Sequence, residues 1–510
     1  MPRVARRARA PRDPPSPLRR PSARIADPDR SFPQRLNITD PLRRHAREQP
    51  HAQAVLRPRG ASLTWRELDA LVDAVAHRCL DAGVAPGDVV DVTVRRPFRR
   101  LVLSLALARL GAASAAAGLV RGMTRAFVDG ADEATGYADA RVVDATWFDP
   151  PASPPEPVAS RADAGAIAIV CPSSGTTGPP KAIPITHAQL AARVAAANAG
   201  VPLPRDPRLI CAPSPWSGFG FLSTLRVLDA GGTVGLAGTP EDIVAMVLAH
   251  RVNKLVLMPF WIDQLVSALP RGTRLASLEQ IEVGGAFLAG PLYRLARERL
   301  CEHVYSVYGA TEAGCVAMAD FETLDPDTGE VGRVLPGIEV VAFDADGRAL
   351  PAGQEGELRV RGSVCAGGYI GDERATAEGF RDGWLCTPDV GSVAPDGTLA
   401  LAGRRGELID IGGYRLRPSV VEEALMSIDA IEDAAAFGAQ DANGATRLCA
   451  AVVMRASLDE ASLEAALRAK LPVLAPSFVM RVAEVPRNAG GKIMRDALAA
   501  MARDAGFART

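Results

Sequence analysis

The run Ser173-Ser174-Gly175-Thr176-Thr177-Gly178-Pro179-Pro180-Lys181 directly follows an apolar stretch, Ala166 to Cys171. Consecutive backbone N–H groups in a loop of such small residues can form an anion nest, with hydroxyls as extra donors and Lys181 as a fixed charge. That is chemistry for holding phosphate. It is not a Walker loop, because G-x-x-x-x-G-K-[ST] is absent. The same composition also suits a plain surface loop.

Lysine usage adds weight. Lys181, Lys254, Lys470 and Lys492 are the only lysines among 58 basic residues; the rest are arginine. A compact ammonium on a flexible stem does what a flat guanidinium cannot, so a retained lysine points to a place where the difference counts. Lys492 lies in a second Gly-rich loop, Pro486-Arg487-Asn488-Ala489-Gly490-Gly491-Lys492-Ile493-Met494-Arg495.

Three more blocks stand between these loops. Gly284-Gly285-Ala286 is by itself a strand-end turn. Tyr308-Gly309-Ala310-Thr311-Glu312-Ala313-Gly314 offers a carboxylate beside a hydroxyl, a donor set that suits Mg²⁺ bridging phosphates. Thr387-Pro388-Asp389 is followed by Gly403-Arg404 and then by Arg405-Gly406-Glu407.

In this order the blocks resemble those of the AMP-forming adenylating superfamily, which includes acyl-CoA synthetases, nonribosomal peptide synthetase adenylation domains and firefly luciferase. The resemblance covers essentially the whole chain after about residue 40. It implies ATP and Mg²⁺ as cofactors. By resemblance Ser173, Ser174, Gly175, Thr176, Thr177, Gly178 and Lys181 hold phosphate, Thr311 holds the α-phosphate, and Glu312 is the metal residue. Gly284, Gly285, Ala286 and the Tyr308-Gly309-Ala310 segment lie at the adenine, Asp389 and Arg404 at the ribose, and Lys492 is the catalytic lysine. The family's hinge falls on Gly406, where Asp or Lys is usual, and glycine can absorb the φ/ψ change. Pro388 stands where the family has glycine; it fixes φ and removes an N–H near the ribose.

The reaction implied is attack of a small-molecule carboxylic acid on ATP, then transfer of the acyl group to a thiol of CoA or of phosphopantetheine on an acyl carrier protein. Gapless alignment to Leu228-Asp229-Ala230-Gly231-Gly232-Thr233 puts Gly218 where peptide-synthetase domains hold the substrate amino group with Asp. An unpaired ammonium in a buried pocket is costly, so α-amino acids are disfavoured. Trp216 falls at the gate of the acyl pocket, or is an ordinary core residue. An acyl- or aryl-CoA ligase is the leading reading. A stand-alone enzyme loading a carrier protein and a weakened nucleotide-binding scaffold, suggested by Pro388 and Gly406, stay open.

The elements that must position these loops follow from periodicity. From Thr64 a helix puts Leu68, Leu71, Val72, Val75 and Cys79 on one face, stops at Gly83 and gives way to a strand over Val89 to Val94. Alternating helices and short buried strands continue, with a Pro/Ser-rich linker at Pro150 to Ala164 and strands near Leu255 to Met258 and Gln280 to Val283. The pattern is α/β: a large N-terminal domain of two doubly wound sheets. After Gly329, turns at Asp346-Gly347 and Asp396-Gly397 predict hairpins closing into a small β-barrel, and a small α+β C-terminal domain follows Arg404. The boundaries expected are 1–35, 36–403 and 404–510, the last a mobile domain.

Length and charge agree. A chain of 510 residues exceeds one hydrophobic core. With 58 basic and 59 acidic residues there is no charge argument for nucleic acid or for a membrane surface. Leu101 to Val120 is Ala-rich but broken by Arg109, so it predicts a buried helix and no membrane span. Eight scattered cysteines suit a reducing, cytoplasmic setting. Residues 1–35 hold ten Arg, eight Pro and three Asp, a composition for a disordered extension or, alternatively, an organelle-targeting segment.

Overall fold

The computed structural model describes residues 36–507, apart from 59–61, 117, 121–122, 124, 161–162, 174–179, 215–216, 271, 287, 289, 325–327, 405–408, 412–413, 417, 442–444, 456–458, 472–474, 489–490 and 506. The Arg/Pro-rich start, Ser174 to Gly178, Trp216 and Gly406 therefore lie outside the described residues.

The first predicted helix runs Trp65–Asp81 and starts at Thr64 with a reciprocal capping box to Glu67. Its periodic residues Leu68, Leu71, Val72, Val75 and Cys79 are fully buried. The helix Pro97–Arg109 is buried from Leu101 to its end. Arg109, the charge that broke the apolar run, donates to Asp69 at 2.6 Å and to Asp73 at 2.7 Å with no exposed surface. It is a core ion network, paired as burial demands. Among the described residues no helix is long and apolar enough to cross a membrane.

Two sheets form the N-terminal part. One has six strands in the spatial order Asp139–Val142, Arg125–Val128, Val89–Thr93, Ala113–Ala116, Ile167–Pro172, Ala182–Thr186, parallel except for the last pair. The phosphate-loop candidate connects that last pair. The other sheet has a parallel core whose neighbours run Gln53–Leu56, Thr233–Gly235, Arg208–Cys211, Lys254–Leu257, Gln280–Gly284, Val304–Ala310. Helices pack on these strands as the alternating pattern requires.

The expected barrel takes a different form. Gly314–Asp320 turns back along Val304–Ala310, and its free edge accepts Glu330–Val334, then Thr398–Arg404, Trp384–Val393, Gly356–Arg361 and Glu339–Phe343. The hairpins thus extend the large sheet, and among the described residues their pairings close no ring. The physical reason is the unpaired row of N–H and C=O groups on Gly314–Asp320, which templates the next strand. Both predicted turns form, with Gly347 at φ 78° and Gly397 at φ 89°.

The C-terminal part has its own cores. A hairpin of Ile409–Ile411 and Tyr414–Leu416 leads to a three-stranded sheet, Ile431–Gln440, Thr446–Met454 and Phe478–Arg481, with helices Pro418–Met426, Glu460–Lys470 and Arg495–Asp504.

Candidate active site

Between the two parts lies a cleft of about 1440 Å³. It is lined by Ser173, Lys181, Gly218, Gly284 to Ala286, Tyr308 to Glu312, Asp389, Arg404 and Lys492, whereas Lys254 and Lys470 lie outside its lining.

One wall is a β-bulge. Along Trp384–Val393, Val390 faces Glu357 and Cys386 faces Arg359, so Thr387, Pro388 and Asp389 together oppose Leu358 alone. A bulge has no ladder place for the missing N–H of proline, which is where proline is tolerated in a sheet. Pro388 is therefore accommodated: it is exposed on the cleft lining, beside Asp389, which is 4% exposed. Thr387 Oγ1 pins the bulge by donating to the Leu358 carbonyl at 2.7 Å and accepting from Asp389 N at 3.2 Å. Asp389 in turn accepts from Tyr308 Oη at 2.6 Å and from Arg404 Nε at 2.8 Å, one on each oxygen. Burial, then the Asp389 charge, pushes the Tyr308 phenol well above its usual range, so it stays a donor. Each carboxylate oxygen keeps a lone-pair site for a further donor.

The opposite wall carries the anion-binding candidates. Ser173 N donates to Lys181 O at 2.9 Å and Lys181 N donates to Ser173 Oγ at 2.9 Å, so the neck of the loop is tied. Lys181 Nζ stands 4.8 Å from the centroid of the Tyr369 ring, a cation–π distance. Tyr369 Oη donates to Glu312 Oε1 at 3.0 Å. The carbonyls of Thr311 and Glu312 accept from Arg193 Nη1 at 3.1 Å and Nη2 at 2.7 Å, and Arg193 Nε donates to the Val364 carbonyl at 2.8 Å. Arg193, 2% exposed, thereby fixes the turn that aims Thr311 and Glu312.

Lys492 reaches this cleft from the C-terminal part. Asn488 closes a tight turn around it: Asn488 N donates to Lys492 O at 2.8 Å, and Lys492 N donates to Asn488 Oδ1 at 3.0 Å. Arg487 anchors the turn by donating to both Asp433 oxygens, at 2.9 and 3.0 Å, and to the Gly491 carbonyl at 3.2 Å. Gly491 has φ 74°, and a Cβ there would sit 2.5 Å from the Phe260 ring of the N-terminal part. Glycine is required twice over, by backbone conformation and by close approach.

On the third side, the helix Gly218–Asp229 starts at Ser217, whose hydroxyl accepts from Gly220 N at 3.0 Å. A Cβ on Gly218 would lie 2.9 Å from Thr311 Cγ2, so a longer side chain has no room without moving Thr311. Phe219 and Leu222 of this helix line the cleft and pack in one cluster with Val307 and Cys315.

Three residues here were not anticipated from sequence. Tyr369 could have been, as one of only six tyrosines, following two glycines. Arg193 is a lone charge in an Ala-rich helix, a weak signal. Phe260 gave none.

The chain belongs to the family of AMP-binding enzymes, the AMP-forming adenylating enzymes: that family's model matches residues 42–119 and 121–370, and the model for the AMP-binding enzyme C-terminal domain matches 420–492. It is 30% identical over 493 residues to the nonribosomal peptide synthetase CymA of Salinispora arenicola, covering 88% of this chain and 6% of that protein. It thus spans a small part of that relative. It is also 30% identical to a salicylyl-CoA synthase / salicylate adenylyltransferase of a Streptomyces species, covering 84% and 87%. Among solved structures, the amide bond synthetase McbA from Marinactinospora thermotolerans superposes with TM-score 0.78 at 27% identity, covering 91% of this chain and 99% of that one.

Proposed function

We propose that this chain activates a carboxylic acid with ATP and passes the acyl group to a thiol, as an acyl- or aryl-CoA ligase. The observation that carries the reading is the convergence, on one cleft, of an anion-loop neck, a Thr-Glu turn, a buried carboxylate with two donors behind it, and a lysine loop delivered by a separate part. In this reading the ribose hydroxyls donate to Asp389, adenine lies along Gly284, Gly285, Ala286 and the Tyr308-Gly309-Ala310 strand end, and Lys181 and the Ser173 loop meet the phosphates. Residues 36–403 form the nucleotide-binding domain, and 404–510 the mobile domain, turning about Gly406.

Glu312 fits Mg²⁺. Among the described residues no three metal-ligating side chains converge, and one Glu312 oxygen is occupied by Tyr369. Mg²⁺ takes one or two carboxylates and fills its shell with phosphate oxygens and water. When bound it neutralises phosphate charge. Thr311 orients the α-phosphate, and the Lys492 ammonium lowers the cost of pressing a carboxylate against it. The substrate oxygen attacks phosphorus in line, pyrophosphate leaves, and the mixed anhydride waits for the thiol.

The acid is one without an α-ammonium, because Gly218 packs on Thr311 and presents no carboxylate to pair with one. The similarity to salicylate-activating and peptide-synthetase relatives supports two acceptors, free CoA and a phosphopantetheinyl carrier; the ligase reading takes CoA. The test is acid-dependent ATP–pyrophosphate exchange over simple aliphatic, aromatic and α-amino acids, followed by AMP release with and without CoA. Exchange with neutral acids and CoA-stimulated AMP release are expected. Exchange with α-amino acids alone would overturn the acid class, and AMP release that ignores CoA but responds to a carrier protein would move the acceptor.

Pro388 enters here as a stabilising residue. Pro388→Gly frees the bulge, which for a compatible proline is worth about 0.4–1 kcal/mol. The melting temperature should therefore fall by about 1–4 °C with ATP kinetics little changed. An unaltered melting temperature would remove this role of Pro388 from the account.

A further inference from the structure

The wall of the cleft beneath Phe219 and Leu222 is uncharged, but the layer behind it is not. One helical turn below Leu222, Arg226 donates through Nη1 to Glu282 at 3.0 and 3.1 Å. Lys254 Nζ donates to the same carboxylate and to Gln280 Oε1, both at 2.5 Å. The side chains of Arg226, Lys254 and Glu282 are at most 1% exposed. The other Arg226 donors go to neutral acceptors: Asn198 Oδ1 and the carbonyls of Ala197 and Val201. Arg193, on the helix His187–Gly200, lies behind Gly314, where a Cβ would meet its Cδ at 2.9 Å, and it donates to the carbonyls of Val364, Thr311 and Glu312.

Cys315 lies in the cleft lining; burial pushes its thiol up to about 11, and the charges of Arg226, Glu282, Arg193 and Lys254 also act on it. Three cations, Arg193, Arg226 and Lys254, stand against two carboxylates, Glu282 and Glu312. Glu312, the other nearby acid, turns its carboxylate to Tyr369. Burial pulls the Lys254 ammonium down to about 8, with Glu282 opposing, so it is charged at pH 7. The wall is thus backed by a net positive, fully buried charge, which salt screens little.

Taking the carboxylate-activating reading above as its basis, we infer that the preferred acid carries a negatively charged or electron-rich group at the end away from its reacting carboxyl, held by the field of Arg193, Arg226 and Lys254 through the Phe219–Leu222–Cys315 wall. The same field opposes an ammonium, which strengthens the exclusion of α-amino acids. For a unit charge about 8 Å away at an effective dielectric of about 20, the preference is on the order of tenfold or more.

The test uses near-isosteric benzoates bearing a meta or para carboxylate, carboxamide or amidinium group, with benzoate as reference, in ATP–pyrophosphate exchange on the full chain. Carboxylate and amidinium carry one charge each and similar desolvation loads, so their kcat/KM ratio reports the field. It should favour carboxylate by at least about tenfold. Lys254→Met, checked for fold by circular dichroism, should cut that ratio at least about fivefold, more than it changes the benzoate value. Where Lys254→Met does not fold, Lys254→Gln is read in the same way, and with neither folded the wild-type ratio decides. A ratio at or below one, or one unchanged in a folded variant, overturns the inference. No exchange with benzoate or any of the series marks failure of the underlying acid-class reading and takes this inference with it.

Discussion

Lys492→Ala is expected to lose acid-dependent pyrophosphate exchange by at least about a thousandfold, yet to make thioester from preformed acyl-AMP at close to the wild-type rate. Loss of one preorganised charge at a developing anion costs about 10² to 10³, and lost positioning adds to it. The charge matters only while carboxylate and triphosphate are pressed together. The structure shows the lysine turn as a unit, closed by Asn488, anchored by Arg487 on Asp433 and seated on Phe260 through Gly491. Removing the side chain beyond Cβ leaves those backbone bonds in place. Lys492→Arg should not rescue exchange, since the planar fork is bulkier and spreads its charge. The measurement is a paired assay on one preparation. Equal losses in both half-reactions would make Lys492 a structural residue, and no loss in either would take it out of the site.

Asp389→Ala should be the second largest effect. The carboxylate is the common acceptor of Tyr308 and Arg404, both part of the ribose wall in this reading. Truncation removes its bonds to the ribose, each worth about 1.5–3 kcal/mol for a charged acceptor, and leaves the Tyr308 hydroxyl buried without its partner. We expect kcat/KM for ATP to fall on the order of a hundredfold and the melting temperature to drop by several degrees. Asp389→Asn, which keeps one acceptor, should fall between. A variant with normal ATP kinetics and a lowered melting temperature would reassign Asp389 to structure alone.

Much of this arrangement could be read before any coordinates, for a physical reason. The helix at Thr64 and the strands that end at Pro172 and Gly284 carry local signals, capping residues and period, that survive tertiary packing. The chemistry-bearing blocks sit on the connections after such strands, where a parallel sheet gathers its loops. What sequence hid is tertiary. Whether Pro388 weakens the ribose wall depends on a register slip against Leu358, which no local pattern encodes. Arg193 acts on Thr311 and Glu312 across more than a hundred residues of chain, and Tyr369 acts on Lys181 and Glu312 from far along the chain as well. The hairpins after Gly329 were legible as hairpins, but their joining the edge of the large sheet depends on which edge was left open.

The central claim is that a substrate carboxylate oxygen attacks the α-phosphorus of ATP. Oxygen tracing tests it most directly. A carboxylic acid that supports exchange is supplied with both carboxyl oxygens as ¹⁸O, with ATP and CoA, and the AMP and pyrophosphate formed are weighed by mass spectrometry. Attack at the α-phosphorus followed by cleavage of the acyl C–O bond by the thiol leaves one ¹⁸O in each AMP and none in pyrophosphate. AMP without label, or label in pyrophosphate or in inorganic phosphate, would contradict the account.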